Sequence, residues 1–188
     1  MKEHLIKSDL FSQEEVARIL PYFIAKRFKK KDLIVRAGDV THHVFFVQKG
    51  CVRLFLVDRA AKEHSILFGT EGYWMGDLEA FMNHSLASYN YQALEETELM
   101  MIHRSSWDQL MKEEPSFSNY VGVLFRNALI MQQNRIVEFF TLTAEERYHN
   151  LIQNRKQLLE RVPQKYLASY IGITPEFFSQ IRKKQLGA

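Results

Sequence analysis

Apolar side chains recur at two different periods along the chain, and the changes of period divide it. Val16, Ile19 and Leu20 fall on one helical face between Ser12 and Phe23, behind Ser12 as a cap and Glu14 and Glu15 in the first turn, which predicts a short amphipathic helix. From Leu33 to about Ile102 the helical period disappears. Short runs of β-branched and aromatic residues replace it, at 33–35, 44–47, 51–57, 65–68, 89–94 and 99–102. Gly38-Asp39, Lys49-Gly50 and the stretch from Arg59 to Lys62 are turn signals between them, and Phe28 to Asp32 reads as a solvated charged corner. Six or more short strands at this spacing predict a compact antiparallel barrel or sandwich.

The helical period returns near Ser105-Ser106 and is restarted by Pro115. Between Ser116 and Phe139 there is no proline, and the one glycine is Gly122. Within that stretch Phe117, Val121, Leu124, Ala128 and Met131 alternate at spacings of four and three, the signature of a coiled-coil seam. A second apolar strip, including Phe125, Leu129 and Ile136, is free to rest on the β-domain. The seam predicts a homodimer; the alternative is that the whole helix packs on its own β-domain. Thr143 with Glu146 three residues later forms a capping-box pattern that starts a new helix, from Ala144 to about Leu159, and leaves Phe140 to Leu142 as a hinge.

The last periodic stretch has an interruption in its middle. Tyr166, Leu167, Tyr170 and Ile171 share one helical face, as do Phe177, Phe178 and Ile181, and Gly172-Ile173-Thr174 stands between the two sets. Glycine takes the left-handed conformation that ends a helix, Thr174 can cap the next one, and Pro175 suits a first helical position. The small Ala168 allows close approach, and Phe178 and Ile181 face inward. Such a pair of short helices is a helix-turn-helix. Its outer face carries Glu176, Ser179, Gln180, Arg182, Lys183 and Lys184, a polar and cationic set suited to the major groove of DNA.

Composition narrows the classes. The chain has 188 residues, 46% hydrophobic and 13% aromatic, which is globular in character and long enough for one medium and one small domain. No apolar run reaches a membrane span and the first residues have no signal-peptide core, so a cytoplasmic protein without membrane contact is expected. A single cysteine, Cys51, excludes an internal disulfide or a cysteine-held cluster within one chain, and reads as a small buried hydrophobe. The net charge of +3 is modest, but from Glu145 onward the balance is +4 and before it −1. The positive surplus travels with the helix-turn-helix, as expected where one end of a chain meets phosphates. His42-His43 and Glu63-His64 lack the spaced histidine and glutamate set of a cupin-type metal site, so no metal is expected and they read as turn histidines.

A β-domain, a seam-bearing helix and a helix-turn-helix, in that order, resemble the Crp/Fnr family of bacterial transcription regulators, whose sensor is a cyclic-nucleotide-binding β-roll. Ala37-Gly38-Asp39, the run from Phe45 to Gly50, Gly76-Asp77-Leu78 and the helix-turn-helix fall in the family's order and spacing, and the variant from Val162 to Glu176 is similar to the form found in Bacteroidetes members. The resemblance implies an α+β fold: an antiparallel jelly-roll sensor with flanking helices over 1–115, a dimerisation helix over 116–140 and a DNA-binding domain over 141–188. It implies double-stranded DNA, a second copy and RNA polymerase as partners, a small-molecule effector, and no catalysis.

It also implies roles for residues. In the family a Gly-Glu-Leu segment and a later Arg-Ser pair hold a cyclic nucleotide; the carboxylate takes the ribose and the arginine, with backbone amides, takes the phosphate. Gly76, Asp77 and Leu78 match the first part with a shorter acid, and the second falls on Ala87 and Ser88, so the arginine is missing. A charged hydrogen bond is worth about 1.5–3 kcal/mol, and its loss counts against cyclic AMP as effector. Gln132 and Gln133 take the positions that meet the purine. On the second helix, Glu176 and Gln180 take the base-reading positions, with cytosine and adenine as their matching bases. Thr174, Pro175, Ser179, Arg182, Lys183 and Lys184 belong to the same interface, joined by Gln164 and Lys165 from the preceding helix; most of these grip phosphate. With few residues after Lys184 in this sequence, no wing hairpin is expected to follow the second helix. Two other classes stay open on the residues alone, a metal-dependent cupin-like enzyme and a ligand-binding module whose helix-turn-helix does not meet DNA.

Overall fold

The computed structural model describes residues 1–186. In chain order it runs α1 (Lys2–Lys7), α2 (Gln13–Ile19), a 3-10 turn (Leu20–Tyr22), β1 (Phe23–Phe28), β2 (Leu33–Val35), β3 (His43–Lys49), β4 (Val52–Val57), β5 (Glu63–Gly69), β6 (Trp74–Met75), α3 (Leu78–Asn83), β7 (Asn90–Ala93) and β8 (Thr97–His103), and then α4 (Arg104–Glu113), α5 (Pro115–Thr141), α6 (Ala144–Arg155), α7 (Gln157–Arg161), α8 (Gln164–Ile171) and α9 (Pro175–Leu186). The strands form two four-stranded sheets, ordered β1-β8-β3-β6 and β2-β7-β4-β5. By contacts the chain divides into Met1–Leu54 with Phe68–Asn127, and Phe55–Leu67 with the residues from Ala128 onward. The division falls inside α5, whose 27 residues are continuous.

Alternation along the strands builds the core of the first unit. Phe23, Val44, Phe46 and Ile102 point to one face of their sheet, where α1, α2, α4 and the start of α5 supply Leu5, Val16, Ile19, Trp107, Leu110, Phe117, Tyr120 and Val121. Trp74 and Trp107 lie edge to face at 6.0 Å, with Phe23, Phe46, Phe81 and Phe117 around them. Such edge-to-face packing adds to burial itself. The expected strands are all present. The opening helix is shorter than its period suggests, because Leu20-Pro21-Tyr22 tightens into the 3-10 turn and Phe23 is already extended. The helix predicted to run from Ala144 to about Leu159 breaks at Lys156. The cap predicted at Ser12 is a full capping box with Glu15, and the one at Thr143 with Glu146 forms as read.

One polar relay crosses this core. The Trp74 indole donates to the Tyr120 hydroxyl at 2.8 Å, and His4 Nε2 shares a hydrogen bond with the same oxygen at 3.1 Å. Burial, and then the terminal amino charge, hold the His4 imidazole below its ordinary pKa. Burial likewise lowers His43, helped by His103, His42 and Lys26. A histidine with a depressed folded pKa binds its proton more readily when unfolded, so stability is lost as pH falls below the ordinary imidazole value of about 6.5. The urea midpoint is therefore expected to drop between pH 7 and 5.5, and the drop to shrink in His4→Gln. An equal drop in that variant would contradict the relay.

Candidate nucleic-acid interface and effector pocket

The helix-turn-helix is built as its residues require. Gly172 is left-handed at φ 76°; its amide donates to Ser169 O and that of Ile173 to Ala168 O, which closes the last turn of α8 as a Schellman motif. An added Cβ at Gly172 would sit 2.9 Å from the Phe139 ring, so the position excludes side chains twice over. Thr174 Oγ1 accepts from Phe177 N at 3.2 Å and caps α9, which begins at Pro175. Leu167, Ala168 and Ile171 from α8 and Phe178 and Ile181 from α9 are buried, with Tyr148 of α6 edge to face on Phe178 at 5.0 Å.

The outer face is open. Gln164, Lys165, Thr174, Pro175, Glu176, Gln180, Arg182, Lys183 and Lys184 are all exposed. Ser179 is half-buried; its hydroxyl donates to the Pro175 carbonyl at 3.0 Å and lies 3.5 Å from Gln164 Oε1, so the start of α8 borders the first turn of α9. α8 has no side-chain cap at its start. The amides of Tyr166 and Leu167 close on the Pro163 carbonyl, and Gln164 and Lys165 are exposed at this end. Lys184 leans on Glu145 of α6 at 3.3 Å, an exposed ion pair that holds it only weakly.

Three residues that sequence reasoning passed over hold this face in place. Arg147 donates to Ile171 O (2.9 Å) and Leu142 O (2.6 Å) and lies over the Phe139 ring. Arg135 of α5 donates to Tyr170 O (3.1 Å) and to Ile66 O, with its guanidinium 3.8 Å from the centre of the Tyr170 ring. Two arginines thus satisfy the carbonyls left open at the end of α8. Ser169 Oγ accepts from Ser65 N at 2.9 Å and lies 3.3 Å from Glu63 O, which ties α8 to the hairpin of residues 55–67. Nothing in a linear pattern of basic residues distinguishes these arginines from solvated ones.

The expected dimer seam needs correction. Phe117 and Val121 are buried in the first unit's own core, and Leu124 packs against the same cluster. Ala128 is exposed and Met131 half-buried. The strip expected to rest on the β-domain is the exposed one, with Phe125 at 40%, Leu129 at 61% and Ile136 at 57%. Phe117 and Tyr120 are drawn into the aromatic cluster around Trp107, so the first half of the seam faces inward, while Ala128 and Met131 stay accessible together with the second strip. Gly122, Phe125, Leu129, Gln132, Ile136 and Phe139 repeat at spacings of three and four along the open side.

The cassette around Gly76 is in the first unit. Gly76 is set close against Val44; a Cβ there would come 2.8 Å from Val44 Cγ1. Asp77 is only 2% exposed, and its carboxylate is taken by backbone amides: Oδ1 by Ala80 N at 3.1 Å, Oδ2 by Ser88 N at 2.7 Å and Tyr89 N at 3.3 Å. It caps α3 and staples the segment eleven residues on. Ala87 is buried, its amide donating to Asp39 O and its carbonyl accepting from Gly38 N. Ser88 and Leu78 are exposed. Burial and the Asp77 charge both raise the pKa of the neighbouring Tyr91. Gln132 (half-buried) and Gln133 (exposed) stand on the part of α5 that belongs to the second unit. Trp74, which neighbours this segment in sequence, is turned into the aromatic core. Among the described residues no group of three or more histidine, cysteine, aspartate or glutamate side chains is arranged to hold a metal ion.

With this geometry in hand, the comparisons with known proteins agree with one another. A family model described as cyclic nucleotide-binding domain matches residues 25–114. The regulatory protein HlyX of Actinobacillus pleuropneumoniae is 22% identical over 167 residues, covering 83% of this chain and 69% of that protein. Among solved structures, the c-di-GMP responsive global regulator CLP of Xanthomonas campestris superposes with a TM-score of 0.75 at 18% identity, covering 94% of this chain and 92% of that one. FixK2 of Bradyrhizobium japonicum gives 0.74 at 14% identity, covering 86% and 83%. At these identities the structural matches speak for the fold.

Asp77→Ala leaves buried amides without an acceptor and removes a helix cap, and is expected to cost about 2–3 kcal/mol in urea unfolding. Asp77→Asn keeps one acceptor oxygen and should cost about half as much. Equal stability of Asp77→Ala and wild type would show that these amides find other partners.

Proposed function

We propose that this chain is a transcription regulator of the Crp/Fnr type, that it works as a homodimer and reads DNA with α9, and that it does not take cyclic AMP as its effector. The observation that carries the reading is the face of α9: Glu176, Gln180 and Lys183 stand exposed at helical spacing while Phe178 and Ile181 anchor the opposite side. A helix presented this way fits the major groove. Glu176 accepts from the amino group of cytosine and Gln180 pairs with adenine. Lys165, Arg182, Lys183 and Gln164 at the start of α8 bind phosphates and set the register.

The second copy docks on the exposed strip of α5, centred on Phe125, Leu129 and Ile136 with Gln132 between them. A symmetric dimer of this kind reads a roughly palindromic site with half-sites about one DNA turn apart. The working division is a sensor over 1–115, a dimerisation helix over 116–140 and a DNA-binding domain over 141–188, with RNA polymerase as the further partner. No helix among the described residues is long and apolar enough to cross a membrane, and the place of action is the cytoplasm, beside the DNA.

Against cyclic AMP stand two features of the cassette. The Ser88 and Tyr89 amides already donate to Asp77, which puts a buried carboxylate where the resemblance implies a phosphate, and the buried Ala87 leaves no guanidinium to offset it. An anion brought there meets like charge.

Two outcomes test the reading. On a site selected from random DNA, Glu176→Ala is expected to lose about 1–3 kcal/mol of discrimination at one base pair with the salt slope nearly unchanged; uniform weakening on every sequence would contradict the assignment. Leu129→Glu or Ile136→Glu is expected to reduce the sedimenting species to the 22.2 kDa monomer. A dimer in both variants would place the interface elsewhere.

A further inference from the structure

The two sheets leave a cleft at one edge of the first unit, beside the turn whose Asp39 carbonyl accepts from Ala87 N. β1 ends one sheet and β2 ends the other, the chain passing between them through the corner at 29–32, and the cleft they border, open to solvent on one side, measures about 620 Å³. Neither Gly76 and Asp77 nor Ser88 lines it. Its floor is apolar. Phe23, Val44 and Ile102 point into the helix-covered core, so their neighbours Ile24, His43 and Met101 stand on the opposite side of the sheet, where Ile24 pairs with Met101 across β1 and β8. Val35 of β2 faces them. Ile24 is 66% exposed, an unusual position for isoleucine on a strand lining a concavity.

The walls are cationic. Lys26 and Arg36 line the cleft, and among the described residues no ion pair engages either of them. Asp39 is the one acid in the lining, so, histidines aside, Lys26, Arg36 and Asp39 leave a single positive formal charge. His43, half-buried and in ring contact with His103 at 5.1 Å, adds a neutral donor or acceptor. Cavities of about 300–1,000 Å³ that combine an apolar lining with a few charged groups are suited to small molecules.

We propose that this cleft is a binding site for a small amphipathic monoanion, a carboxylate with an apolar body, whose charge meets Lys26 and Arg36 and whose hydrocarbon covers Ile24, Val35 and Met101. A net charge of one favours a monoanion over a multiply charged phosphate. Concavity favours a free small molecule over a protein surface, and the site needs neither DNA nor a second copy.

The test is calorimetric titration of the full chain at pH 7 with octanoate as probe, below its micellar concentration, beside acetate and 1-octanol. Octanoate should bind saturably at one per chain, and acetate, which lacks the apolar body, and octanol, which lacks the charge, at least tenfold more weakly. The double variant Lys26→Gln/Arg36→Gln, both positions exposed, should keep its thermal unfolding and lose about tenfold or more in octanoate affinity. Ile24→Glu, also exposed, should abolish binding by putting charge on the apolar floor. The proposal fails if octanoate does not saturate, if octanol binds as well, or if the charge-removing and Ile24 variants bind like wild type.

Discussion

A carboxylate buried among backbone amides governs the sensor part of this protein. Asp77 is sealed from solvent, and accepts from the first turn of α3 and from the amides of Ser88 and Tyr89. A charge in that setting is tolerated only because donors surround it. The same contacts that solvate Asp77 close the loop between α3 and β7, and Ala87 is pinned in turn to the 38–39 turn by two backbone bonds. A segment that elsewhere in the family is implied to receive a ligand is here satisfied from within. On the reading proposed above, the resemblance extends to the fold and not to cyclic AMP.

The DNA-facing part rests on a different constraint, the unsatisfied carbonyls at the end of α8. Gly172 turns the chain sharply, and the price of that turn is a set of acceptors near the surface. Arg135 and Arg147 meet them from α5 and α6, each also stacked on an aromatic ring. Ser169 adds a link to the hairpin of residues 55–67. Most of the outer side chains of α9 carry no structural contact, Ser179 and Lys184 excepted, because the end of α8 is held from behind. Glu176 and Gln180 are exposed and enter no ion pair among the described residues, which is the condition a reading residue needs.

How much of this was legible depends on whether the signal lay in side chains or in the backbone. The helix-turn-helix was readable because Gly172, Thr174, Pro175 and Ala168 each have a local reason to be where they are. The caps at Ser12 and Thr143 were readable for the same reason. β1 was not, since Phe23–Phe28 holds a lysine and an arginine on an edge strand and mimics a loop. α1 was missed because only Leu5 in it is fully buried. The burial of Phe117 and Val121 is not legible because both strips of α5 are apolar, and periodicity cannot say which of two such strips meets the core. The role of Asp77 was hidden because its partners are amides, which every residue but proline has.

The most direct measurement of the central claim is fluorescence-anisotropy binding of the full chain to DNA fragments from around its own gene, in a salt series, with and without cyclic AMP. Tight binding to one fragment, steeply weakened by salt and unchanged by the nucleotide, is the result expected of a regulator whose cassette is filled by its own Asp77. Tightening on addition of cyclic AMP would contradict it, and would mean that the nucleotide displaces Asp77 from the Ser88 and Tyr89 amides.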